Sequence, residues 1–271
     1  MAILTGITLI LTYLGYPLIK RLLIRYSLVT ENFSGCEIPV GYGLLLGVNA
    51  VIILLVGKGL RIYPGEVVTS FVFLIMVAGA TGLADDYLGY EQSSGFSGHL
   101  RKLWQEYQVT TGFLKAALIG IFTFLIVNRV IMDNFVVRLV NFSLVVLMTN
   151  FINLLDLRPG RALKGFIIIT FSSLLATDIL FIKLLLPLLV MVIILLPIDL
   201  RAEAMLGDVG SNLLGACLGL GLLFSLGFIY KVMLVVGLVL IHIYTEKSSL
   251  TELIARNRVL NYIDQLGRGR I

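Results

Sequence analysis

Long apolar blocks separated by short polar stretches dominate this chain. Nine stand out, at roughly 2–19, 40–57, 66–84, 111–128, 136–155, 164–181, 182–199, 209–229 and 231–245. They are close to the length a helix needs to cross the ~30 Å hydrocarbon layer of a bilayer. The sixth and seventh are parted only by "TDILFIK", the least marked boundary in the series. The pattern predicts an all-α, polytopic membrane protein of about nine to ten transmembrane helices over 1–245. A cytoplasmic amphipathic tail is expected over 246–271. There Leu250, Leu253, Ile254, Leu260 and Ile263 are apolar, and Glu246, Lys247, Glu252, Arg256 and Arg258 are charged. Such a tail either lies on the inner membrane surface or covers a site and supplies Arg256 and Arg258 to a substrate.

Composition agrees. With 58% hydrophobic residues, 14% charged residues and a mean hydropathy of +1.00, the chain is no ordinary soluble domain. The first block has no basic leader and no small-residue cleavage site, so it is expected to stay as a helix. The two cysteines, Cys36 and Cys217, fall in different environments and suggest neither a disulfide framework nor a metal site. Nothing points to a nucleic-acid partner.

Basic residues set the expected orientation. Lys20, Arg21 and Arg25 follow the first block, placing the N-terminus outside and the next loop in the cytoplasm of a cell membrane. Threading nine helices from there puts Arg101, Lys102, Lys115, Arg158, Arg161, Lys164, Arg201, Lys247, Arg256, Arg258, Arg268 and Arg270 on the cytoplasmic side. The carboxylates follow. Asp85 and Asp86 end the third block, Asp156 ends the fifth, and Asp208 opens the eighth, all on that same side.

A lone aspartate at a membrane boundary is ordinarily just solvated. These have company. Asn150, Asn153 and Asp156 form an i, i+3, i+6 polar stripe reaching back into the bilayer. Amides in lipid would cost several kcal/mol, so the stripe is expected to face a partner or cavity. Around Asp208, Gly207 and Gly210 permit close backbone approach and Ser211 is a candidate cap for helix eight. Free N–H groups there would suit phosphate oxygens. Oxygen ligands without a His or Cys cluster suit Mg²⁺, or Mn²⁺, rather than zinc. Arg158, Arg161 and Lys164, with Arg256 and Arg258, make a plausible diphosphate cradle.

These motifs, taken in order, resemble the polyprenyl-phosphate N-acetylhexosamine-1-phosphate transferases. That family includes phospho-MurNAc-pentapeptide translocase and the GlcNAc-1-phosphate transferases that start cell-envelope glycans. "IPVGYG" resembles the Pro-x-x-Gly-Gly entrance to helix two, "LADDYLG" the Asp-Asp motif, and "GFSGHLRKL" the Gly-x-Ser-Gly loop. "NFINLLDLRPGRA" is similar to Asn-x-x-Asn-x-x-Asp, and "MLGDVGSNLLG" to Met-Gly-Asp-x-Gly-Ser-x-x-Leu-Gly. The resemblance implies attack of a membrane polyprenyl phosphate on a UDP-sugar, giving polyprenyl-diphospho-sugar and UMP with Mg²⁺. It implies Asp208 as metal ligand, with Asp156 and Asp86 as further metal candidates. Asn150, Asn153 and Asp156 would organise nucleotide and diphosphate, and Asp85 and Asp86 the lipid phosphate. Family members are often homodimers. A phosphate monoester, with its second pKa near ~6, hardly needs a base, which favours organisation over proton abstraction.

The chain departs from the family at Gly89, where lysine is frequent, and at Pro159, which replaces a second acid. It lacks the pentapeptide translocase's histidine-rich loop, so a simple UDP-HexNAc such as UDP-GlcNAc is the default donor. The other readings are a catalytically retired homologue acting as a membrane scaffold, and a transporter. Transporters usually hold ionisable groups near the bilayer midplane on broken helices.

Overall fold

The structure, a computed structural model, describes residues 1–32, 35–88 and 110–268. In chain order the elements are α1 (Ala2–Arg25), β1 (Val29–Glu31), β2 (Glu37–Pro39), α2 (Gly43–Gly59), α3 (Gly65–Leu88), α4 (Thr111–Val130), α5 (Phe135–Leu155), α6 (Arg161–Ser173), α7 (Ile179–Leu200), α8 (Gly207–Ser225), α9 (Phe228–Thr245), α10 (Leu250–Arg256) and α11 (Arg258–Gln265). Among the described residues the protein is all-α apart from a short antiparallel ribbon that pairs Thr30 with Ile38. Seven described helices (α1, α3, α4, α5, α7, α8 and α9) are long and apolar enough to cross a membrane. The motif "GFSGHLRKL", with Arg101 and Lys102, and the departure at Gly89 lie outside the described residues, as does Arg270.

Each of the nine apolar blocks contains a helix, but two are shorter than a full span. α2 has 17 residues and α6 has 13. The weakly marked sixth boundary falls at 174–178, where the Asp178 side chain accepts the Leu180 N–H at 2.9 Å and starts α7. The tail is likewise two helices, not one. Asn257 adopts extended backbone between them, and its side chain accepts the Val259 and Leu260 N–H groups at 3.0 and 3.1 Å. That capping residue breaks the expected continuous helix.

Helix α8 is the axis of the molecule. It packs against α2, α3, α5, α6 and α7, and nearly all its residues are buried. Bilayer lipid offers no hydrophobic drive between helices, so close van der Waals contact through small residues must supply it. Gly215 and Gly219 lie against the backbone of α5 at Thr149 and Val145. Gly210 meets Gly43 of α2, and Gly82 of α3 faces the backbone at Val209. Both ends of α8 are closed by other helices. Asp86 of α3 takes its first amides, and Lys231 of α9 donates to the Leu223 carbonyl at 2.6 Å and to Asn141 Oδ1 at 2.9 Å. Anion at the start and cation at the end both oppose the helix dipole.

A Cβ at Gly43 or Gly82 would overlap backbone of α8, whereas one at Gly79, also on α3, would meet nothing within 4 Å. Gly43→Ala and Gly82→Ala are therefore expected to destabilise by about 1–3 kcal/mol. Gly79→Ala should be neutral or gain up to ~1 kcal/mol from helix propensity. Thermal unfolding in detergent checks this; equal losses at all three positions would rule out close contact as the cause.

Candidate functional site

The ends of α3, α4, α5 and α8 meet at one end of the bundle and bring the widely separated acids together. Asp85 and Asp86 share the last turn of α3 but have different partners. Asp86 accepts the backbone N–H of Asp208 at 2.8 Å and of Val209 at 3.1 Å. It therefore caps α8 from another helix. Gly207, at φ +76°, makes the turn that allows this. A Cβ there would strike the Asp86 carboxylate and the Gly41 backbone. Ser211, the expected cap, does not serve as one. It is the fifth residue of α8, past the first turn, and accepts from Asn153 Nδ2 at 3.1 Å. The N–H groups of Asp208 and Val209 are thus already taken by a carboxylate rather than open to a phosphate.

Asp85 accepts from Lys115 Nζ at 2.6 Å, and the same ammonium donates to Asp208 Oδ2. Lys115 comes from the second turn of α4, whose start the Thr110 side chain caps by accepting the Phe113 N–H at 3.2 Å. The second oxygen of Asp208 accepts from Asn153 Nδ2 at 2.9 Å. Asp208 is thereby held by a cation on one side and an amide on the other.

Main-chain bonds bring the helix-two entrance into the same place. Met205 N–H donates to Pro39 O at 2.8 Å, Gly41 N–H to Met205 O at 3.0 Å, and Gly43 N–H to Leu206 O at 3.1 Å. "IPVGYG" and "MLGD" thus lie side by side as one strip. Below them sits Asp199, a buried carboxylate at the end of α7. It accepts the Tyr42 hydroxyl at 3.0 Å and the Gly160 N–H at 2.6 Å, tying two motif loops together.

The polar stripe on α5 divides. Asn153 turns into the cluster, while Asn150 is exposed. Asp156 follows the last residue of α5, half-buried, with no side-chain hydrogen bond to any described residue. Burial first, then the charges of Asp199, Asp208 and Asp86, push its carboxyl well above the usual range. The turn after it runs Arg158-Pro159-Gly160-Arg161, closed by Arg161 N–H to Arg158 O at 3.1 Å with Gly160 at φ +73°. That geometry explains the Pro-Gly pair.

The cationic cradle does not assemble as expected. Arg158 is exposed beside the acids' end of α5. Arg161 and Lys164 are buried and bonded to the C-terminal tail. Arg256 and Arg258 are exposed, with Arg256 lying 3.8 Å from Glu252 of its own helix. Among the described residues, no three Asp, Glu, His or Cys side chains gather as a metal cage. Sequence reasoning missed Lys115, taken as one more cytoplasmic-side charge, and Asp199. The signal for Asp199 was present: an acid at the end of a helix that contains an 18-residue stretch of mean hydropathy 3.1.

Asp156 yields a test. Below about pH 4 its carboxyl is neutral in both folded and unfolded chains. As pH rises the unfolded chain ionises first, so stability falls as pH climbs through the raised folded value. Asp156→Asn removes that penalty. Its thermal midpoint is expected to exceed that of the wild type at pH 7.5 and to converge with it near pH 4. An Asn variant less stable at pH 7.5 would mean the carboxylate has a favourable partner.

Compared with models of known protein families and with curated proteins, the chain matches none, so its functional reading rests on motif order and on this geometry.

Proposed function

We propose that the protein is a phosphosugar transferase. It moves a sugar-1-phosphate, HexNAc-1-phosphate by default, from a UDP-sugar to a polyprenyl phosphate in the membrane. The lipid phosphate oxygen forms a bond to the β-phosphorus, the α–β phosphoanhydride breaks, and UMP leaves with that electron pair. The site opens to the cytoplasm in this reading, at the boundary where a soluble nucleotide and a lipid headgroup can meet.

The observation that carries the proposal is the charge imbalance around Lys115. Among the described residues, one ammonium stands among Asp85, Asp86, Asp156 and Asp208 at the ends of four helices. Such an acid excess suits a divalent cation and then the phosphates that cation brings. The donor set fits magnesium: hard carboxylate oxygens of Asp208 and Asp85 already converge on one cation, the ammonium, with an open supply from Asp156. Mg²⁺ commonly takes only one or two carboxylates plus substrate phosphates. When bound, it would neutralise diphosphate charge.

The chain's own residues have separate tasks. Asp86 sets the start of α8 and so aims Asp208. Asn153 fixes the rotation of the Asp208 carboxylate. Lys115 offers a cation to the oxygens on which charge builds in phosphoryl transfer. Asn150 and Arg158, both exposed, are free to meet the donor. Asp85 and Asp86 are both hydrogen-bonded acceptors, a role that fits organisation rather than proton abstraction.

A second reading draws on the same ammonium. Lys115 satisfies Asp85 and Asp208 as a permanent cation would, which suits a retired homologue serving as a scaffold. A transporter is less well supported, because these charges gather at helix ends.

UMP release by purified protein with undecaprenyl phosphate, Mg²⁺ and a panel of UDP-sugars separates the readings. One sugar is expected to support release. Asp208→Asn and Lys115→Ala should each lower kcat by about 10²–10³, the usual loss of one electrostatic group at a developing charge. Arg158→Ala should raise donor KM and spare kcat. No release with any sugar, from protein that unfolds cooperatively, favours the scaffold.

A further inference from the structure

Arg161 and Lys164 belong to a second cluster, one that the transferase reading leaves unused. The Asp264 carboxylate on α11 is buried and receives two guanidinium groups at once. Arg161 donates Nε to Oδ1 at 2.7 Å and Nη2 to Oδ2 at 3.0 Å. Arg268 donates Nη2 to Oδ1 at 2.7 Å and Nη1 to Oδ2 at 3.0 Å. Burial alone would raise this carboxyl, but the two guanidiniums outweigh it and hold it at about 2, so it stays ionised at any ordinary pH. Lys164 closes the end of α11 by donating to the carbonyls of Ile263 at 2.9 Å, Asp264 at 2.5 Å and Leu266 at 3.1 Å.

The remaining donor of Arg268 connects this cluster to the site. Its Nε donates to the Pro159 carbonyl at 2.8 Å. Pro159 and Gly160 form the turn directly after Asp156, and the Gly160 N–H is the group bound by Asp199. That turn is gripped from both sides, by Asp199 of α7 and by Arg268 of the tail. The packing agrees, since added Cβ atoms at Gly160 and at Gly267 would both run into Leu200 of α7. Leu250 and Ile254 anchor the other end of the tail in the core.

We infer that the C-terminal helix pair is a strap, and that Asp264 and Arg268 are positioning residues that hold the Leu157–Gly160 turn, and with it Asp156. The role rests on the transferase reading only for what Asp156 does; the mechanical claim stands apart from it. The Asp156 side chain has no hydrogen bond to any described residue, so its place is set through the backbone on either side, where its own N–H donates to Asn153 O at 3.0 Å. Pro159 occupies the position of the family's second acid. The strap gives that turn a second attachment instead.

Hydrogen exchange on the full chain in detergent tests this. In Arg268→Ala and Asp264→Asn, peptides covering 157–164 are expected to exchange about tenfold faster, the scale of one charged hydrogen bond. Peptides covering 205–212, where Asp86 caps α8, should be unchanged, and Asp264→Glu should restore part of the protection. If the transferase reading also holds, both variants raise donor KM while kcat changes little. Unchanged exchange over 157–164 in both variants would overturn the strap, leaving Asp199 alone to hold the turn. Equal acceleration everywhere would overturn it too, as general destabilisation. Wild-type protein that releases no UMP counts against the transferase and leaves the exchange result standing.

Discussion

The carboxylate of Asp86 bonded to the first amides of α8 is the contact on which the rest of the site depends. A helix start inside a bundle leaves several N–H groups without intrahelical partners. Here a residue 122 positions away in sequence supplies the acceptor. That single carboxylate joins α3 to the central helix and fixes the height at which Asp208 emerges. Asp85, its neighbour in the chain, points about 100° round the helix and meets Lys115, which it shares with Asp208. Two adjacent aspartates thus divide the work, one building the site and one lining it.

Because Asp86 takes these amides, anion recognition must come from elsewhere. The helix N-terminus spends its partial positive charge on a resident carboxylate, so the phosphates of the proposed reaction would have to rely on Lys115 and Arg158 instead. The clustered acids have a cost that protonation or a cation relieves, and Asp156, its carboxyl pushed well above the usual range, shows it most plainly. A transporter midplane site of the usual kind would draw its polar groups from broken helices. In this molecule they come from intact helix ends, supplemented by loops that run side by side.

Much of this was legible in the sequence. Apolar block lengths located every large helix, and helix counting placed Asp85, Asp86, Asp156 and Asp208 at one end, where the structure also puts them. Of the stripe Asn150, Asn153 and Asp156 expected to face a partner or cavity, Asn153 turns into the cluster and Asn150 is exposed. What periodicity does not encode is pairing over distance. Arg161 and Lys164 sit in sequence beside Asp156 and read as site cations, yet their partners lie about a hundred residues on, in the tail. Lys115 reads as one more topology charge because its two acceptors come from other helices. The start of α8 misled for the same reason: Ser211 is the local candidate for a cap, and Asp86 is the distant one that wins.

Gathering so many like charges at one end strains the fold, and the packing around α8 is what offsets that strain. Buried charges without full compensation cost free energy that no local contact returns. The compensation comes from glycine-mediated backbone contact along the whole of α8 and from opposite charges at its two ends, Asp86 and Lys231. Both devices act on the helix rather than on the acids. The proposed cation site calls for a scaffold that holds the acids in place without the cation. The central helix, dense in glycine and closed at each end by its neighbours, gives the acids a fixed position.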